Sequence, residues 1–227
     1  KNGEGATVYG ANLEGKLTWS ILQLQGGLTL TKNRYDKPEE WGQRADFNDK
    51  GFPLIFDTTD ELGNPIKAVN KKQESNIITR TPSAYGYFTL GITPVKNFDI
   101  ALTGTITGPM YVPHAIKYGS TQQPNSGYPQ GFDEEALQNY LVAGGLEKDT
   151  EIRIDELKKT PTFFDMGFKL SYDFDFFSST CLQIYAGMNN LLNAMQSDYD
   201  KGADRDSGYI YGPTMPRSAF LGMKLSF

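Results

Sequence analysis

One histidine and one cysteine are all that this 227-residue chain offers of the side chains most often recruited for metal binding and nucleophilic chemistry. Cys181 has no second cysteine for an internal disulfide, and a zinc site of ordinary type cannot be assembled from this set. A Ser-His-acid arrangement would have to use His114, and no coherent face brings a serine and an acid to it. The chain is therefore read as a non-enzyme that calls for no cofactor. Long apolar runs are also missing. No stretch approaches the roughly 18 consecutive apolar residues of a membrane-crossing helix, although membrane strands, which alternate, pass under that test. A surplus of basic charge is missing too: 22 Lys and Arg against 27 Asp and Glu leave a net charge of -5, which argues against a nucleic-acid-binding stripe. Residues Lys1-Asn2-Gly3-Glu4 include no initiator Met, basic segment or apolar leader, which fits a removed signal or a piece of a longer chain.

What is present is period-two alternation, the signature of strands with two unlike faces. Tyr9, Ala11, Leu13, Gly15, Leu17 and Trp19 oppose Asn12, Glu14, Lys16 and Thr18. Leu22, Leu24, Gly26, Leu28 and Leu30 oppose Gln23, Gln25, Thr29 and Thr31. The same split recurs with Ala84, Gly86, Phe88, Leu90 and Ile92, and again with Phe98, Ile100, Leu102, Gly104 and Ile106. It returns with Phe164, Met166, Phe168, Leu170 and Tyr172, with Leu182, Ile184, Ala186 and Met188, and with Ala219, Leu221, Met223, Leu225 and Phe227. No apolar set contains a charge, as lipid requires, since Lys or Arg at mid-bilayer costs about 2 to 4 kcal/mol. A dry protein core would require the same.

The connections separate those two cases. Short links at 18–21, 93–97 and 173–180 alternate with long ones at 33–79, 113–160 and 190–215. Structureless loops beyond about 12 to 15 residues are uncommon in compact soluble domains, whereas outer-membrane barrels pair short periplasmic turns with long extracellular loops. The rhythm predicts an all-β antiparallel transmembrane barrel segment of about seven strands over 1–227, with the C-terminus periplasmic. Trp19, Tyr35, Phe98, Tyr111, Tyr172 and Phe174 at segment ends fit interfacial aromatic girdles. Two loops carry structure of their own. Leu54-Ile55-Phe56 and Ile66, Ala68 and Val69 flank Gly63-Asn64-Pro65 as a small hairpin, and Asp133 caps a short helix through Leu141, ended by Gly144-Gly145.

Asn190-Leu191-Leu192-Asn193, followed by Asp206, Tyr209, Tyr211-Gly212-Pro213, Pro216-Arg217 and a final strand ending in Phe227, resembles the C-terminal end of TonB-dependent outer-membrane receptors. Relatives often carry an aromatic where this chain has Leu192. The resemblance covers the last third of the chain by motif and the rest by strand rhythm. It implies a plugged barrel of about 22 strands that imports a scarce ligand, a ferric siderophore, haem or cobalamin, with TonB-supplied energy; a glycan-importing relative is the neighbouring alternative. It also implies partners: outer-membrane lipid, the remaining strands and plug, the TonB complex through that plug, the barrel-assembly machinery and, on the outside, a surface lipoprotein. No plug is recognisable here. Gly222, Leu225 and Phe227 look like the assembly signal of a last strand. A rival reading is a self-contained small barrel or soluble β-sandwich that binds through its loops.

Candidate sites lie in the loops. Asp198, Asp200, Asp204 and Asp206, with Gly202, have the alternating oxygen spacing of a Ca²⁺ loop but lack its bidentate Glu, so the competing reading is a solvated acidic turn. His114, after Tyr111-Val112-Pro113, stands where it could touch haem or a chelated metal, though a lone loop histidine is ordinarily exposed. Tyr111 and Trp41 complete the expected ligand contacts. Charged polar-face residues such as Asp165 and Lys169 are read as lumen groups that pair with their neighbours.

Overall fold

The computed structural model describes residues 5–123, 125–177 and 180–227. In chain order the elements are β1 (Ala6–Trp19), β2 (Leu22–Tyr35), β3 (Glu39–Ala45), β4 (Phe56–Thr59), β5 (Pro65–Ala68), β6 (Asn70–Ser75) and β7 (Ala84–Val95). They continue with β8 (Phe98–Thr107), β9 (Tyr111–His114), α1 (Glu134–Ala143), β10 (Glu156–Lys159), β11 (Phe163–Phe177), β12 (Thr180–Asn189) and β13 (Ser218–Ser226). The seven segments that alternate in sequence form one antiparallel sheet in the order β1-β2-β7-β8-β11-β12-β13. The remaining strands form three two-stranded sheets.

Register keeps the two faces apart across the whole sheet. One continuous apolar row runs Leu17, Leu24, Leu90, Leu102, Phe168, Met188 and Ala219 from edge to edge. The neighbouring row on the other face runs Lys16, Gln25, Thr89 and Thr103. A slip of one residue would mix the faces, so the alternation itself pins the pairing. Gly222 sits under the Tyr185 ring of the adjacent strand, where a Cβ would collide with it. Leu225 lies on the apolar face, and Phe227 projects beyond β13 almost fully exposed.

The short links are tighter than the sequence suggests. Trp19 pairs with Leu22 across a two-residue turn in which Ser20 takes φ 50°, and Val95 pairs with Phe98 with Asn97 at φ 67°. The third expected link is mostly strand, since Phe177 pairs with Thr180, and residues 178 and 179 lie outside the described residues. Among the described residues the sheet is open: β1 and β13 each pair on one side only.

The loops build what the sheet does not. Among the described residues every fully buried hydrophobic side chain, including Ala45, Val69, Val112, Ile116, Leu137, Leu141, Ile152 and Tyr209, belongs to the long connections. Asp133 caps α1 by accepting the Ala136 N–H at 2.9 Å, and Leu137 and Leu141, one turn apart, point into the loop core. Gly145, at φ 90°, ends the helix as the sequence predicts, with Leu146 N–H returning to the Leu141 carbonyl and Gly145 N–H to that of Val142. The expected hairpin is β4–β5, whose turn is held by Asp60 accepting the N–H groups of Leu62 and Asn64. The β3–β6 and β9–β10 pairs were not expected; their strands are too charged or too short to alternate.

Candidate functional site

The three long connections, 36–83, 108–162 and 190–217, fasten to one another through carboxylates. Asp155, 6 % exposed, accepts the Gln43 N–H and the Ile116 N–H, each at 2.8 Å, and pairs with the Arg153 guanidinium at 2.7 Å. One acid thus ties the first connection to the second, assisted by isolated bridges between Arg44 and Ile154 and between Lys117 and Arg153. The only sequence signal for it was an acid inside the alternating Ile152-Arg153-Ile154-Asp155.

His114 ties the second connection to the third. Its ring stacks on Tyr209 with centroids 3.8 Å apart and planes 11° from parallel. Nε2 lies 2.9 Å from Asp200 Oδ2, so that nitrogen carries the proton, while Nδ1 has no hydrogen-bond partner among the described residues and faces Glu156 Oε1 at 3.7 Å. Asp200 Oδ2 also accepts from Gln123 Nε2 and from the Asp206 N–H, each at 2.9 Å. Burial alone would raise the Asp200 carboxyl; the bonds from Gln123, the Asp206 backbone and His114 outweigh it and hold the group below the usual carboxylate range. Tyr209 and Tyr211 both donate their phenols to Asp198. Against the opposing effect of burial, those two bonds lower Asp198, while burial and the same carboxylate push Tyr211 up to about 12 and Tyr209 higher still. A carboxylate fixed by two phenols is a strut and holds no proton to exchange near neutral pH.

These contacts correct two expectations. His114 is 3 % exposed and walled by Tyr209 and Asp200, so it is neither an ordinary exposed loop histidine nor open to an axial haem bond in this arrangement. The acidic run is not a solvated turn: Asp200 is buried, Asp198 takes two tyrosines, and Asp206 accepts the Ala115 and Gly208 N–H groups. Asp204 lies apart, 4.0 Å from Lys117. Among the described residues no group of three or more His, Cys, Asp or Glu is placed to hold a metal ion. The structure does not bring Tyr111 and Trp41 to His114 as one site. Tyr111 lines a cavity of about 240 Å³ with Lys32 and Lys159, and Trp41 lines a separate open pocket of about 580 Å³ with Glu40, Gln43, Asn70, Glu151 and Arg153. Among the described residues Asp165 has one buried oxygen without a hydrogen-bond partner, and Lys169 rests over the Tyr185 ring of the neighbouring strand at 4.6 Å. Tyr35, expected in an aromatic girdle, falls on the face opposite Leu30.

Sequence reasoning passed over a third cavity, about 440 Å³, lined by Met195, Tyr199, Asp200, Arg205, Tyr209 and Ile210. Its walls are residues of the Asp206 to Pro213 motif and the acidic run, whose loop-to-loop packing no periodicity announces. Asn190 closes the base of the same connection, donating to the Ala194 and Met215 carbonyls and accepting the Ala194 N–H. No protein-family model and no curated protein matches the chain.

Proposed function

We propose that the chain is wall and external loops of an outer-membrane β-barrel receptor, with the apolar sheet face against lipid and the polar face toward a lumen. The observation that carries this reading is the uncovered apolar face. Leu13 is 75 % exposed, Trp19 73 % and Met223 76 %, and Leu24, Leu28, Phe174 and Ile184 stand open beside them. Water-soluble monomers seldom leave an apolar patch beyond a few hundred Å². Here the face spans seven strands, while the loops of the same chain bury a dry core, so the sequence can make a core and makes none on the sheet. The dimensions agree. Tyr9 to Trp19 is ten residue steps, about 33 Å along the strand; at a tilt of about 40° this gives an apolar band of about 25 Å, the height of such bands in outer-membrane barrels. Tyr172, Phe174 and Phe176 form an aromatic file at the short-turn end, with neighbouring centroids 4.7 and 6.4 Å apart.

The two open edges need partners, because unpaired strand edges in hydrocarbon leave N–H and C=O groups unsatisfied. Further strands of one barrel, as the C-terminal resemblance to TonB-dependent receptors implies, supply them. The imported ligand is a scarce solute captured by the loop head. The Trp41 pocket favours a glycan as the second reading, since one indole among Glu40, Gln43, Asn70 and Arg153 offers an apolar platform ringed by planar hydrogen-bonding groups. The test is topology in intact cells. Single cysteines are placed at Leu62, on the β4–β5 turn, and at Lys96, on a short link, in a Cys181→Ser background. A membrane-impermeant maleimide is expected to label position 62 on whole cells and position 96 only after permeabilisation. Equal labelling of both would overturn the reading.

A further inference from the structure

Just above the apolar face, the sheet has a gap. β7 begins at Ala84, opposite Leu30, so among the described residues the upper end of β2 has β1 on one side and no strand of the sheet on the other. The gap is bridged by irregular chain: Thr31 N–H donates to the Ser83 carbonyl at 2.9 Å, Ser83 N–H to that of Pro109 at 3.2 Å, and Arg80 N–H to that of Tyr111 at 2.7 Å. What remains open is the cavity of about 240 Å³, lined by Lys32, Lys159, Ser83, Met110 and Tyr111 among others.

Lys32 and Arg34 continue the outward, exposed side of β2 that Leu28 and Leu30 begin. Among the described residues neither Lys32, Arg34 nor Lys159 has a carboxylate within ion-pair distance, whereas Lys67, Lys71, Lys72 and Lys158 each have one. Two acids close by in sequence have other partners: Asp36 accepts the Thr7 hydroxyl, and Glu156 pairs with Lys158. Two lysines without a carboxylate partner on the lining of one small cavity give it a positive character, and an anion held there gains charge-assisted hydrogen bonds. A free anion would use only the cavity. A lipid uses the cavity for its headgroup and the open leucines below it for its chains.

We infer that this cavity holds the phosphate-bearing headgroup of an outer-leaflet lipid, gripped by Lys32 and Lys159, while the acyl chains lie along Leu28 and Leu30. The inference rests on the membrane reading above and adds a lipid site to it. The test is native mass spectrometry of the full protein in detergent, titrated with phosphatidic acid and, separately, phosphatidylcholine. Phosphatidic acid should be retained preferentially. Lys32→Gln and Lys159→Gln should each weaken its retention about fivefold, the effect of one cation near an anionic surface, and Lys148→Gln, on an exposed loop, should leave it unchanged. Equal retention of the two lipids, or full retention by the Lys32/Lys159 double variant, overturns the inference. The two readings fail differently: a protein that stays monomeric without detergent sinks both, while one that needs detergent yet retains no phosphatidic acid sinks the lipid site alone.

Discussion

Truncating Asp200 to Ala would strand His114 Nε2 and the Asp206 N–H, both buried or half-buried, and would take one of the two acceptors of Gln123 Nε2, which keeps the Ala115 carbonyl. Each stranded buried donor costs about 1 to 3 kcal/mol, so Asp200→Ala should loosen the 190–217 connection. Faster limited proteolysis there, with the strands still protected, is the expected result. The same carboxylates set a pH dependence. Asp198 and Asp200 both titrate below the ordinary value of 3.8 in the folded loops, so their stabilisation is complete above that value and is lost as pH falls through their lowered values. Proteolytic protection of 190–217 should therefore hold from pH 6 down to about pH 4 and fall below that; protection that stays flat or rises as the pH is taken lower would contradict the assignment. None of this was legible in the sequence. His114 and Asp200 are 86 residues apart, and nothing in the spacing of an irregular loop says which of its acids turn inward.

Elements were legible where a repeating physical constraint writes itself into the chain. The seven long strands could be read because each alternates an apolar with a polar face along most of its length, and α1 because its cap, its buried pair Leu137 and Leu141 and its terminal glycines are local signals. β3 and β6 carry Glu39, Glu40, Arg44, Lys71 and Lys72 with no apolar stripe, and the chain around Arg153 and Asp155 fastens to their pair through Gln43 and Asn70, contacts that no local pattern announces. The loop core predicts its own stability. Leu141→Ala should destabilise the loop head by about 2 to 5 kcal/mol, as for other fully buried leucines, read as earlier thermal loss of loop protection. If the loops were merely draped and the sheet carried the core, that substitution would be nearly silent.

At the scale of the whole molecule, hydrophobic burial is inverted: the regular sheet leaves its leucines open and the irregular loops are dry inside. That inversion makes the chain mildly polar on average, with a mean hydropathy of -0.47, while one surface of it is apolar from edge to edge. The rhythm of short turns and long connections could be read from the sequence; that the connections assemble into a single head could not, because that depends on Asp155, Asp198 and Asp200 meeting partners in other loops. The chain's two tryptophans sample the two environments, Trp19 on the open face and Trp41 in the head. The most direct measurement is fluorescence quenching by lipids brominated on their acyl chains, with the protein reconstituted in bilayers and compared as Trp41→Phe and Trp19→Phe variants. Strong quenching of Trp19 with Trp41 spared is what a lipid-facing sheet predicts; a Trp19 that escapes quenching would place the apolar face against protein and contradict the account.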